Sequence, residues 1–100
     1  MSYQSLYSPV ALIEYKDAVT WYDVRSRKAA ENFVLAVKQK IKTICEDPLR
    51  YRNIYKYFRE TPLKKYPYNV VYFIDESKMI VVITSIFHHK RNPRNKYLKK

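Results

Sequence analysis

The apolar residues of this chain change their spacing once, at Pro48, and that change decides what the chain can fold into. Before Pro48 they recur every three or four residues, the period of one face of a helix. Ala11, Tyr15, Ala18, Val19 and Tyr22 make one such face. Ala30, Phe33, Val34, Val37, Ile41, Ile44 and Cys45 make a second. Ser8-Pro9 reads as an N-cap followed by proline at the first helical position, where its missing N–H costs nothing. The first helix is expected to end near Asp23 to Arg25. Ser26 caps the second, and Pro48 stops it. So short a break folds the two helices into an antiparallel hairpin.

Beyond Pro48 the pattern becomes aromatic and β-branched. Tyr3 to Tyr7 is expected to be a first strand. Arg50 to Tyr57 reads as a loop and Tyr57 to Lys64 as a second strand, with Pro62 demanding an edge or a bulge. Tyr66-Pro67 is a turn, Tyr68 to Ile74 a third strand, and Asp75 to Lys78 the next turn. Met79 to Phe87 is apolar on both faces, so it belongs inside the sheet. The predicted order is β-α-α-β-β-β, an α+β domain with a helical hairpin packed on one face of an antiparallel sheet. The chain holds no glycine, so turns that need positive φ are expected to use Asn, Asp or Ser.

Residues 1–100 are read as one domain. A hydrophobic share of 47% excludes a disordered chain. No apolar run is long enough for a membrane span, and the start does not read as a signal peptide. A single cysteine, Cys45, excludes an internal disulfide and a cysteine-cluster metal site, and its place on the second helical stripe makes it a core thiol. These features imply a cytoplasmic protein. The formal charge is +11, and it is regional. Residues 1–49 hold seven Lys/Arg and six Asp/Glu; residues 50–100 hold thirteen and three, a net of +10. That half is expected to meet a negatively charged partner.

Several segments together resemble the ParE-like branch of the RelE/ParE toxin superfamily. They are Ser8-Pro9, Ala18-x-x-Trp21-Tyr22, Ile44 with Asp47-Pro48, Tyr66 to Ile74, Ile80 to Ile83, and His88-x-x-Arg91-x-Pro93. The resemblance runs from about Tyr3 to Tyr97. It implies the β-α-α-β-β-β toxin fold, a type II toxin–antitoxin system of the plasmid-stabilisation kind, and a cognate antitoxin as partner. Some members of the superfamily cut messenger RNA on the ribosome, whereas the ParE type inhibits DNA gyrase by binding. In the RNases, two lysines on the second strand and an arginine on the third carry the reaction. The matching positions here are Glu60, Pro62 and Asn69. Cleavage of a phosphodiester needs cations on the developing negative charge and a base for the attacking hydroxyl. Proline supplies neither, and a glutamate repels phosphate. The expected role is therefore growth inhibition through a target such as gyrase. The alternatives are a ribosome-dependent endoribonuclease, for which Arg91, Tyr97 and His88 are the candidate catalytic residues, and a non-toxic nucleic-acid-binding domain.

The candidate target-binding residues are Arg59, Lys64, Lys65, Lys90, Arg91, Arg94 and Tyr97. Lys90, Arg91, Arg94, Lys96, Lys99 and Lys100, with Tyr97 among them, form a basic aromatic tail suited to backbone and stacking contacts. Tyr51, Tyr55, Tyr57 and Phe58, with Arg50, Arg52 and Arg59, form a second basic-aromatic cluster. It suits an antitoxin segment or a target equally with packing over the sheet edge. His88 and His89 point to opposite faces of a strand and do not chelate one metal together. Trp21 and Tyr22 are expected to pack the first helix on its neighbours. No cofactor and no metal is expected. There is no phosphate-cradling glycine loop, paired-carboxylate site or Ser-His-Asp arrangement.

Overall fold

A computed structural model describes residues 2–90. The elements are β1 (Gln4–Tyr7), α1 (Pro9–Arg25), α2 (Arg27–Glu46), β2 (Asn53–Tyr55), β3 (Phe58–Pro62), β4 (Tyr68–Asp75) and β5 (Ile80–His88). They form one five-stranded sheet in the order β1-β5-β4-β3-β2, with the helical hairpin against one face. Strands β3, β4 and β5 make the expected antiparallel meander, and β5 has a neighbour on each side. The sheet as a whole is mixed, because β1 runs parallel to β5. Both helices separate those two strands in the chain, and a crossover of that length permits parallel pairing.

Both helices begin at the expected caps. Ser8 Oγ accepts from the Ala11 amide and Ser26 Oγ from the Ala29 amide. Only Ser8 is buried, and its hydroxyl also donates to the Thr84 carbonyl at 3.2 Å. That bond joins the start of α1 to a bulge in β5. Val71 pairs with Ser85 and Tyr72 with Ile83, so Thr84 is an extra residue on β5. The bulge resets the alternation. Val81, Ile83 and Ile86 therefore all reach the helix-side core, and Phe87 turns to the far face.

Phe33, fully buried on α2, ties the layers together. Its ring lies 4.9 Å from Tyr22 of α1, 5.3 Å from Tyr66 and 5.2 Å from Tyr68 of β4, distances suited to aromatic packing. Below it, Tyr72 of β4 is buried, and its hydroxyl donates to the Pro48 carbonyl at 2.6 Å. This anchors the exit of α2 to the middle of the sheet. On the far face a smaller cluster gathers Phe58, Val71 and Phe87, with Phe73 packed against it.

Two local expectations are corrected, for Arg50 to Tyr57 and for the positive-φ positions, and the edge expected at Pro62 is found. The segment Arg50 to Tyr57 is not wholly loop: Asn53–Tyr55 is a short strand, and it pairs with β3. Three residues of mixed polarity carry no period for a sequence reading to detect. Pro62 closes β3 at a point where β2 no longer runs alongside, so the missing N–H leaves no gap in a ladder. The positive-φ positions are Lys56, Lys65 and Met79, not Asn, Asp or Ser. All three stand in turns beside strands, where the pairing of the strands imposes the conformation that local preference disfavours. Trp21 is 40% exposed: the Arg25 guanidinium stacks over it at 3.6 Å and donates to its carbonyl, and the ring lines a small cavity with Pro67, Tyr68 and His88. Tyr22 packs deeper, on Phe33 and Tyr66.

One acid holds an edge closed. β1 pairs with β5 only through Ile83. Beyond that point Glu14 of α1 accepts from the Ile86 amide at 3.0 Å and from the Ser85 hydroxyl at 2.8 Å. Replacing Glu14 with alanine is expected to cost about 1–3 kcal/mol, because it strands a buried donor. Glu14→Gln keeps an acceptor oxygen and is expected to cost less. Urea unfolding of the two variants checks this; equal losses would remove the hydrogen-bonding role.

Burial raises the hydroxyl pKa of Tyr7 to about 12, that of Tyr72 further still, and those of Tyr15 and Tyr22 in the same direction, from an ordinary value of 10.0. Below pH 10 these tyrosines are neutral folded or unfolded, so their contribution to stability is complete. Above it the unfolded chain ionises first. Stability is then expected to fall as pH rises through about 12. Tyrosinate absorbance followed together with far-ultraviolet circular dichroism checks this. Part of the absorbance should rise only as the dichroism is lost.

Candidate functional site

The positions that would carry RNase chemistry, Glu60, Pro62 and Asn69, share one surface. Glu60 pairs with Val71, and Pro62 pairs directly with Asn69. Partners across a strand pair share a face, and Val71 belongs to the cluster on the side away from the helices. The three positions therefore line that far face. The Asn69 amide donates to the Glu60 carboxylate, and its oxygen meets His89 Nε2 at 2.6 Å. An amide oxygen only accepts, so His89 carries its proton on Nε2. The result is a chain of three polar groups, Glu60–Asn69–His89, beside the buried phenylalanines. Its charge-bearing group at the strand is an anion.

Cations are nearly absent from the sheet. The five strands contain a single one, Arg59. Arg59 is half-buried on the helix side, paired with Tyr72, and donates to the Tyr51 carbonyl at 2.6 Å. It supports the loop after α2. Lys64 is exposed on the same side, where it lines a groove with α2. Lys65 is exposed in the turn that follows β3, and Lys90 is exposed after β5.

The two histidines separate as expected. His88 turns to the helix side, its ring edge-on to Tyr68 at 5.2 Å, and its Nδ1 accepts from the Lys90 amide. It lines a small cavity with Trp21, Tyr22 and Pro67. His89 lies on the far face with Asn69. Among the described residues no group of three His, Cys, Asp or Glu is placed to hold a metal ion. Cys45 is buried, and burial raises its thiol pKa, so little thiolate forms at neutral pH. The candidates thus occupy separate surfaces: Arg59, Lys64 and His88 on the helix side, and the substituted RNase positions with His89 on the far side. Arg91, Arg94 and Tyr97, with Pro93, Lys96, Lys99 and Lys100, lie outside the described residues.

Sequence reasoning did not reach His89 as a far-face group. The signal was there: two adjacent residues at the end of a strand must point to opposite faces. The strand that fixed which one faced Asn69 could be registered only from the structure. No helix among the described residues is long and apolar enough to cross a membrane.

The fold has known counterparts. A double mutant of the E. coli toxin RelE in the free state, altered at two arginines, superposes with a TM-score of 0.69. It is 18% identical, and the match covers 99% of this chain and 94% of that one. The isolated E. coli RelE toxin gives a TM-score of 0.66 at 17% identity, covering 97% and 95%. At such identity the likeness concerns the fold. Comparison with curated protein sequences finds no match. A family profile described as ParE toxin of type II toxin–antitoxin system, parDE, matches residues 6–93. That match spans most of the chain, from the end of β1 past β5, and the chain belongs to the ParE toxin family.

Proposed function

We propose that this protein is the toxin of a toxin–antitoxin pair and arrests growth by binding a macromolecular target, DNA gyrase being the first candidate, while a cognate antitoxin neutralises it. One observation carries the choice of binding over cleavage. Where an RNase of this fold needs cations, the far face presents Glu60, Pro62 and Asn69, and Asn69 is already hydrogen-bonded to Glu60. A carboxylate there opposes a phosphate, and no described strand cation can offset it, because Arg59 is engaged on the other side. Removing one donor to a developing oxyanion typically costs about a hundredfold in rate or more. This face lacks such cations at all three matched positions.

A second reading, ribosome-dependent mRNA cleavage, draws on His89. An imidazole held in place by Asn69 is the kind of group that moves protons in such a reaction. It would need cations from elsewhere, and Lys90, Arg91 and Arg94 are the nearest in sequence.

The two readings part in one pair of assays. Purified protein is expected to block supercoiling by gyrase and to leave messenger RNA intact in a translating extract. Site-specific cleavage that disappears in Arg91→Ala would overturn the binding reading in favour of the enzyme. Expression alone is expected to stop growth, and co-expression of the small protein encoded beside it is expected to restore growth.

A further inference from the structure

The outer side of the helical hairpin carries a groove of about 580 Å³, between the end of α1 and the first half of α2. Val19, Ala30, Val34 and Leu35 give it an apolar lining. Leu35 is 64% exposed, a large aliphatic side chain left in water. Leu12, also exposed, falls on the same flank of α1, two turns before Val19. Covering such a surface is favourable. Charge decides what covers it. Asp23, Arg27 and Glu31 stand along the groove, two acids against one cation. Arg27 Nε meets the Asp23 carboxylate at 3.0 Å, and Glu31 follows Arg27 one helical turn along α2. The patch is mixed in sign and slightly acidic, on a chain of net charge +11. Lys40, half a turn round α2 from Glu31, faces the other flank with Arg50 and Lys64. A nucleic acid or an acidic chain therefore finds no net attraction on the outer side. A surface that carries both signs around an apolar centre is complementary to a copy of itself.

We infer that this face is a contact between two copies of the chain, packed hairpin against hairpin about a two-fold axis. A two-fold axis puts the same patch on both sides, so Val34 and Leu35 of each copy cover the apolar lining of the other. It also sets Arg27 of each copy against Glu31 of the other, and the opposed charges fix the alignment of the helices. The basic flank of α2 and the far face of the sheet stay outside the contact. Each copy thus keeps its cations turned outward, away from those of its twin. The contact is independent of the choice between gyrase and ribosome.

The test is sedimentation of the full chain over a range of concentrations, at about 0.15 M salt, where repulsion between two basic copies is screened within about 8 Å. A monomer–dimer equilibrium is expected. Leu35→Asn is expected to weaken the dimer at least about tenfold, because it removes the apolar centre. Leu49→Asn, at an equally exposed leucine beyond the other end of α2, should change it by less than about twofold. Arg27→Glu is expected to weaken the dimer at least about tenfold, and Arg27→Glu with Glu31→Arg to recover most of that loss. On the unaltered chain, the amide resonances of Val19, Glu31 and Leu35 should shift with concentration. The proposal is overturned if the chain stays monomeric at the highest concentration reached, if the two leucine variants behave alike, if the double charge variant is no better than the single one, or if the concentration-dependent shifts fall on another surface. The resonance map on the unaltered chain decides the matter even should a variant fail to fold.

Discussion

Half of one edge of β5 has no strand beside it, and the way that edge is closed organises the molecule. β1 ends at Tyr7, opposite Ile83. The polar groups beyond are met by α1: the Thr84 carbonyl by Ser8, and the Ile86 amide by Glu14. An unpaired edge invites pairing with another chain. Here a helix serves as the guard, and the same bonds fix its direction. With α1 seated, Ser26 turns the chain back, and α2 must run alongside. Phe33 then falls where four tyrosines meet it, Tyr15, Tyr22, Tyr66 and Tyr68. The core follows from the edge.

Much of this was legible before any coordinates. The two stripes, both serine caps, the stop at Pro48 and the three meander strands rest on strong periodic or capping signals, and each is found within about two residues, the usual scatter of element ends. What escaped depends on tertiary contact. Glu14 reads as one more acid on a helix until its partners on β5 are known. β2 is three exposed residues long and has no pattern to show. The parallel pairing of β1 is a fact about distant segments. The site was partly readable. Glu60, Pro62 and Asn69, grouped in the sequence by their place relative to Tyr68, share one surface. Arg59 falls on the other side, because alternation along β3 separates it from Glu60, and Lys64 stands beside α2 only because the chain turns after β3 ends at Pro62.

The positive charge of the second half is therefore not a charged sheet. It sits in turns, beside α2, and beyond β5. The strands supply the core, with phenylalanines on the far face and tyrosines and valines under the helices. The far face also carries a histidine linked through an amide to a carboxylate.

The left-handed residues Lys56, Lys65 and Met79 bear on how the sheet finds its alignment. In many hairpins a glycine-containing turn dictates how the strands line up. A lysine or methionine in that conformation has no such authority, since each would relax elsewhere if released. Alignment must then come from the strands themselves, from matched side chains and the extra residue at Thr84. In the folded sheet it is strand pairing, and not turn chemistry, that holds β3, β4 and β5 in line, so a turn residue here is shaped by the strands it joins.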